Sequence, residues 1–117
     1  KSEQERLCTL CDVEYKETYL AYGAYEDETP LGISQFIISG NAGYISEIAP
    51  VKDTFDAEAM FILGRGVENF MDIVGAHDAY YNWEDTPFIR SLGFSESEGK
   101  LYMNLSAFFA DPCKNKK

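Results

Sequence analysis

The feature that most constrains this chain is a change in the period of its apolar residues near residue 50. Residues 31–39 alternate, with one face formed by Ile33, Gln35 and Ile37 and the other by Ser34, Phe36 and Ile38. Further on, apolar residues recur at intervals of three and four, at Met60, Leu63, Val67, Phe70 and Val74. A period of two is typical of a strand and a period of 3.6 of an amphipathic helix. The chain therefore combines a sheet with a long helix.

Three strands are predicted before that helix, at residues 19–25, 31–39 and 44–49, and a short amphipathic helix at residues 3–12 precedes them. An acidic turn at residues 26–30 and a Gly-Asn-Ala-Gly turn at residues 40–43 join the strands into an antiparallel meander. The long helix can be capped by Asp53, Thr54 or Asp56, and Gly75 ends it. On its polar side we place the residues Glu58, Arg65, Glu68, Asn69 and Asp72.

After the long helix, a strand is predicted at residues 79–82 and a short helix from Thr86-Pro87 to Gly93. A hairpin at residues 94–97 and 100–105 follows, and residues 106–117 read as a tail anchored by Phe108 and Phe109. The fold class is therefore α+β, or mixed α/β, in a single domain of 117 residues.

The charge balance restricts the partners. Ten Lys and Arg residues face twenty Asp and Glu residues, which gives a formal net charge of −10. Such a chain repels phosphate backbones and anionic lipid, so we expect neither nucleic-acid nor membrane binding. No apolar run is long enough to span a bilayer and no signal peptide is visible, so a cytoplasmic location is expected.

The three cysteines leave two interpretations. Cys8 and Cys11 can supply two zinc ligands, with Cys113 and His77 as the others, or they can lie on the inner face of the first helix as small apolar residues. An odd number of cysteines argues against a disulfide framework. We favour the apolar interpretation, no metal site, and a linker role for His77.

Three local features resemble the GNAT acyltransferase family, which transfers acetyl from acetyl-coenzyme A to an amine. The segment 24–32 resembles the family's second hairpin, and a meander strand leads into a long helix that closes with Gly75. Asn82 is followed eleven and twelve residues later by Gly93 and Phe94, as is common in the family. The resemblance covers roughly residues 19–105, and the family's first strand and the start of its first helix are missing.

The resemblance implies a set of site residues. It implies Glu47 as a general base that deprotonates the amine, against the alternative that Glu47 is a solvent-facing residue between Ile45 and Ile48. It also implies that acetyl-coenzyme A contacts the third meander strand, the start of the long helix and the end of the fourth strand, at Ile48, Ala49, Lys52, Asp56, Ala57 and Asn82.

The chain departs from the family pattern at two places. The stretch 55–60, where family members carry a Gly-rich pyrophosphate loop, contains neither Arg nor Gly. Asp53, Asp56 and Glu58 crowd that place, with Lys52 as the opposing charge. The general acid of many members is a Tyr seven residues after the Asn, and this chain has Ile89 there.

Two functions follow from the resemblance. The first is an N-acetyltransferase that uses acetyl-coenzyme A and a cationic amine such as a polyamine, an aminoglycoside or a basic peptide, since the surface is acidic. The second is an inactive GNAT-like domain that serves as a binding or dimerisation module. In that case the open sheet edge can be covered by a second copy in a homodimer. Four aromatic residues can then form a protein interface or can equally be packed inside, namely Tyr80, Tyr81, Trp83 and Phe88.

Overall fold

A computed structural model describes residues 2–110, where helices pack on both faces of a six-stranded sheet. The elements are α1 (Ser2–Cys11), β1 (Leu20–Glu26), β2 (Thr29–Ser39), β3 (Ala42–Pro50), α2 (Ala57–Ile73), β4 (Asp78–Tyr81), α3 (Pro87–Ser91), β5 (Ser95–Ser97), β6 (Lys100–Asn104) and α4 (Leu105–Ala110). The predicted α+β class and the predicted element order are confirmed. The observed bounds of the strands and of the three predicted helices lie within two residues of the predicted ones.

The strands lie in the order β1-β2-β3-β4-β6-β5. β1, β2 and β3 form the predicted antiparallel meander, and β4 pairs with β6 and β6 with β5 in antiparallel fashion. β3 and β4 are parallel, because the chain crosses over through α2 between them. This single parallel pair lies at the middle of the sheet.

A β-bulge at Ser46 changes which side chains of β3 face each helix. Gln35 of β2 pairs with Glu47, whereas the next residue, Phe36, pairs with Ile45, so Ser46 is the extra residue. Because of it, Ile45 and Ile48 lie in the same core beneath α2 although they are three residues apart. Glu47 faces the side of the sheet that carries α1.

The core between the sheet and α1 contains Leu7, Cys8, Cys11, Ile33 and Ala49. Both cysteines are buried, as the apolar interpretation predicts, and burial raises the pKa of the Cys8 thiol to about 11 and that of Cys11 to about 12. Protonated thiols are poor metal ligands and poor nucleophiles. Within residues 2–110 no three His, Cys, Asp or Glu side chains cluster as metal ligands, and Cys113 lies outside the described residues.

The ends of α2 and α3 are set by the residues that the sequence indicates. Asp56 is the N-cap of α2 and its carboxylate accepts a hydrogen bond from the amide of Ala59 at 3.0 Å. Gly75, with a φ of 99°, follows the helix in the left-handed conformation that favours glycine. Thr86 caps α3 in the same way as Asp56, through the amide of Ile89. No helix among the described residues has the length and apolar character needed to cross a bilayer.

The structure differs from the sequence-based predictions at one face of α2 and in the helical form of the residues that follow β6. Glu68, predicted on the polar side of α2, is fully buried, because that flank of the helix is covered by Arg65. Arg65 is itself held against the rings of Phe61 and Phe108. Residues 106–110, predicted as the start of a tail, form α4 together with Leu105 and bring Phe108 to this place.

Candidate functional site

The parallel strands β3 and β4 separate part-way along their length. Their paired residues run from Ala42 and Asp78 to Ile45 and Tyr81, and the last bond joins the Asn82 amide to the Ile45 carbonyl at 2.9 Å. β3 continues to Pro50, whereas the chain leaves β4 toward α3. The opening between residues 46–50 of β3 and residues 81–82 is called the fork below. The bulge at Ser46 begins where the strands part.

Tyr81 enters the fork from the side that carries α2. Its hydroxyl oxygen accepts a hydrogen bond from the Ile48 amide at 3.2 Å, across the gap that the separating strands leave. Tyr81 is 4% exposed, so of the two alternatives for this residue, packing inside is the one that the structure shows. Burial raises the pKa of Tyr81 to about 12, so the phenol keeps its proton.

Glu47 faces the opposite side of the fork and is 4% exposed, so the interpretation as a solvent-facing residue is wrong. Its Oε2 accepts hydrogen bonds from the backbone amide and the side-chain amide of Gln35, both at 3.1 Å. Burial raises the pKa of the Glu47 carboxyl, and the hydrogen bonds from Ser46 and Gln35 oppose that rise. A carboxyl in these surroundings is a better proton acceptor than an exposed one.

A buried polar network holds Glu47 in place. The Gln35 amide nitrogen also donates to the Glu14 carbonyl at 2.8 Å, and its oxygen accepts from the Lys16 amide and the Gln4 side chain, each at 2.9 Å. Gln35 therefore ties β2 to α1 and to the loop that follows it. Sequence analysis missed this network, although a Gln on the apolar face of an alternating strand was a visible signal.

A cleft of about 320 Å³ opens over Glu47 on this side of the fork. It is lined by Asp12, Val13, Glu14, Lys16, Ser46, Glu47, Asn82 and Trp83, and is called the Glu47 cleft below. Three carboxylates line it against one ammonium, and Lys16 lies 3.6 Å from Glu14. Trp83 is 48% exposed at its rim. Carboxylates beside an aromatic ring are groups that attract an organic cation.

On the other side of the fork, the start of α2 carries negative charge. The Asp56 carboxylate lies on the first turn, Glu58 follows it, and both side chains are exposed. The ring of Phe55 meets the ring of Phe88 on α3 edge to face, with centroids 5.8 Å apart. The loop before α2 and the helix α3 therefore touch across the mouth of the fork. Ile89 is buried in the core and offers no proton.

The structure brings only part of the predicted coenzyme residues to the fork. Ile48 and Asn82 flank it, and Asp56 and Ala57 lie at the start of α2. Ala49 is buried toward α1, so its side chain lies on the opposite face of the sheet. The backbone amide of Lys52 binds the Leu10 carbonyl at 2.9 Å, and its side chain is exposed.

Comparison with known proteins shows that the chain has a GNAT-like fold. It superposes on PaiA N-acetyltransferase from Thermoplasma acidophilum in complex with coenzyme A, with a TM-score of 0.61 and 14% identity, covering 86% of this chain and 67% of that one. It also superposes on a spermidine N-acetyltransferase SpeG chimera from Vibrio cholerae and hSSAT, with a TM-score of 0.64 and 13% identity, over 92% and 78%. Neither a protein-family model nor a curated protein sequence matches the chain.

Proposed function

We propose that the chain is an N-acyltransferase that moves an acetyl group from acetyl-coenzyme A to a cationic amine at the fork. The observation that carries this proposal is the position of Glu47, a buried carboxyl with a raised pKa at the floor of an acidic cleft beside the fork. The GNAT-like fold agrees with it, and both solved structures are described as N-acetyltransferases, one of them in complex with coenzyme A.

The proposed reaction uses both sides of the fork. The ammonium group of the acceptor enters the Glu47 cleft, where Glu47 takes a proton from it, directly or through one water. The neutral nitrogen attacks the thioester carbonyl, a C–N bond forms and the C–S bond breaks. The sulfur leaves as a thiolate and takes a proton. Tyr81 can supply it, because the bond from Ile48 uses the phenol oxygen as acceptor and leaves its proton free.

The start of α2 favours a second candidate, a GNAT-like domain that binds amines without transferring acetyl groups. Asp56 already places a carboxylate on the amide of Ala59, where an anion would otherwise bind the helix start. Glu58 adds a second negative charge one residue inside the helix. These carboxylates do not fit a pyrophosphate at the start of α2. A transferase with this helix start is therefore expected to bind coenzyme A weakly.

Calorimetry with acetyl-coenzyme A on the full chain at low salt separates the two candidates. Saturable binding supports the transferase, and its absence supports the amine-binding domain. A turnover assay with Glu47→Gln then tests the base, with Glu14→Gln as a control that removes a charge from the same cleft. We expect the Glu47 variant to lose about a hundredfold or more in kcat. Equal losses in both variants would contradict the assignment of Glu47.

The pH profile gives an independent check. Because Glu47 must be ionised to accept a proton and burial raises its pKa, kcat/KM should rise with pH through an apparent pKa above the usual Glu value. The Glu47→Gln variant should lack this limb of the profile.

A further inference from the structure

The face of the sheet that carries α1 has a half-buried row of tyrosines that no helix of the described chain covers. Tyr44 of β3 and Tyr80 of β4 stack with ring centroids 5.3 Å apart and an interplanar angle of 14°. Tyr102 of β6 continues the row, 5.4 Å from Tyr80. This row is called the tyrosine row below. It crosses three neighbouring strands, and neither proposed function uses it.

The tyrosine row ends in a cleft of about 340 Å³ with carboxylates at its rim. Asp78 and Glu98 line the cleft, and the Tyr102 hydroxyl donates to Asp78 at 2.6 Å. That bond holds the Asp78 carboxylate beside the rings. The cleft is therefore aromatic on its floor and anionic on its edge.

A cation of the chain itself already lies here. The Lys100 ammonium is 5.7 Å from the centroid of the Tyr80 ring, within the range of a cation–π contact. Among residues 2–110 Lys100 forms no ion pair at salt-bridge distance, although carboxylates line the same cleft. An alkylammonium group on the tyrosine row is thus an arrangement that the molecule itself displays.

The tyrosine row is continuous with the Glu47 cleft. Asn82 directly follows β4, two residues beyond Tyr80, and it lines the Glu47 cleft. Asn82 and Lys100 also share the lining of the cleft between these two places. Four residues of extended chain separate Asp78 from Asn82, which is about 13 Å. A flexible chain with ammonium groups at both ends spans that distance.

We propose that the tyrosine row and Asp78 form a second cation subsite, so that the molecule binds a linear polyamine with one end in the Glu47 cleft and the other on the row. The charge of the surface agrees with this occupant, since the chain has a net charge of −10. The proposal deepens the proposed function by naming the acceptor class. It concerns binding, and so it is tested without acetyl transfer.

The test is calorimetry of the full chain with spermine, and with 1,4-diaminobutane as a ligand too short to span both places. Asp78→Asn and Tyr80→Leu are each expected to weaken spermine binding about three- to tenfold and to leave the short diamine little changed. Glu28→Gln, in the exposed turn between β1 and β2 at the far edge of the sheet, removes the same charge as a matched control.

The direction in which Lys100→Met changes the spermine affinity is the decisive result. Removing the competing ammonium should tighten spermine binding about threefold or more, an outcome that a damaged fold cannot produce. Unchanged or weaker binding in Lys100→Met, or an equal loss in Glu28→Gln and Asp78→Asn, overturns the second subsite. Spermine binding with this pattern but no acetyl transfer overturns the transferase and leaves the subsite standing.

Discussion

The hydroxyl of Tyr81 accepts a hydrogen bond from the amide of Ile48 across the gap where β3 and β4 separate. Both groups are buried, so each satisfies a polar atom that the diverging strands would otherwise leave without a partner. The phenol therefore stabilises an opening in the middle of a sheet, where a regular ladder of hydrogen bonds is missing.

Tyr81→Phe should lower the free energy of unfolding by about 1–3 kcal/mol, because it leaves the buried Ile48 amide without an acceptor. Tyr102→Phe is a matched control, since its hydroxyl binds Asp78 in a half-buried place, and a loss of about 1 kcal/mol or less is expected. Urea unfolding measures both. Equal losses would show that the fork has no special dependence on the phenol.

Glu68→Gln should stabilise the chain at alkaline pH. Burial raises the pKa of Glu68 to about 8, against the opposing effect of Arg65, while the unfolded chain keeps the ordinary Glu value of 4.5. A pKa raised on folding means that the folded state holds the extra proton between these values, so stability falls as pH rises from 4.5 to about 8. Gln cannot ionise, and this loss disappears.

We expect the gain at pH 9 to be on the order of 2 kcal/mol and to shrink toward pH 4. Urea unfolding of both proteins across this range measures it. The Oε2 atom of Glu68 has no hydrogen-bond partner among the described residues, so Gln sacrifices no bond at that atom. A pH dependence that is the same in both proteins would show that Glu68 titrates normally.

Two glycines of α2 should respond to alanine with opposite signs. A Cβ at Gly64 would lie 2.6 Å from the Leu92 side chain, whereas one at Gly66 would lie 3.6 Å from the Tyr22 ring, an ordinary contact. Gly66→Ala should therefore gain up to about 1 kcal/mol from helix propensity. Gly64→Ala should lose about 1–3 kcal/mol because the core is overpacked. Thermal unfolding of the two variants measures the difference.

The double substitution Asp56→Asn with Glu58→Gln should tighten acetyl-coenzyme A binding by about 1–2 kcal/mol. Asn caps a helix as well as Asp, so the hydrogen bond to the Ala59 amide is kept while both charges are removed. Thermal unfolding should show little loss of stability. The change in affinity can then be assigned to the removed charges and not to a lost helix cap. If calorimetry finds the affinity unchanged in a folded variant, the negative charge at the start of α2 is not what limits coenzyme binding.

The sequence predicts a helix well wherever the spacing of its apolar residues and a capping residue at its start indicate the same segment. α2 was predicted from its apolar spacing and three candidate caps, of which Asp56 is the one used, and α3 was predicted from Thr86 followed by Pro87. The two alternating faces of β2 were also predicted correctly, and the structure shows that Ile33 faces α1 and Phe36 faces α2. Local spacing was sufficient at each of these places.

Buried polar side chains could not be predicted in the same way, because their partners come from remote parts of the chain. Glu47 is buried against Gln35, which lies twelve residues earlier in the chain. Gln35 in turn is bonded to Gln4 of α1. Glu68 is buried because Phe108 holds Arg65 over it from α4. For Tyr81 the sequence left a surface and a buried position open, because nothing local shows that β3 and β4 separate beside it. Such placements depend on tertiary contacts that no window of sequence contains.

The extra residue at Ser46 has a consequence for recognising distant relatives. In a regular strand, residues three apart face opposite sides, yet here Ile45 and Ile48 share one core and Glu47 stands between them on the other side. Deleting Ser46 would restore even alternation with Glu47 still on the side of α1, but it would remove the bulge that lies where β3 and β4 part. An odd interval between two aliphatic residues, with an acid directly before the second, is therefore a fingerprint of the bulge that alignments of strongly diverged chains can use. An alignment that closes the interval with a gap would hide the bulge.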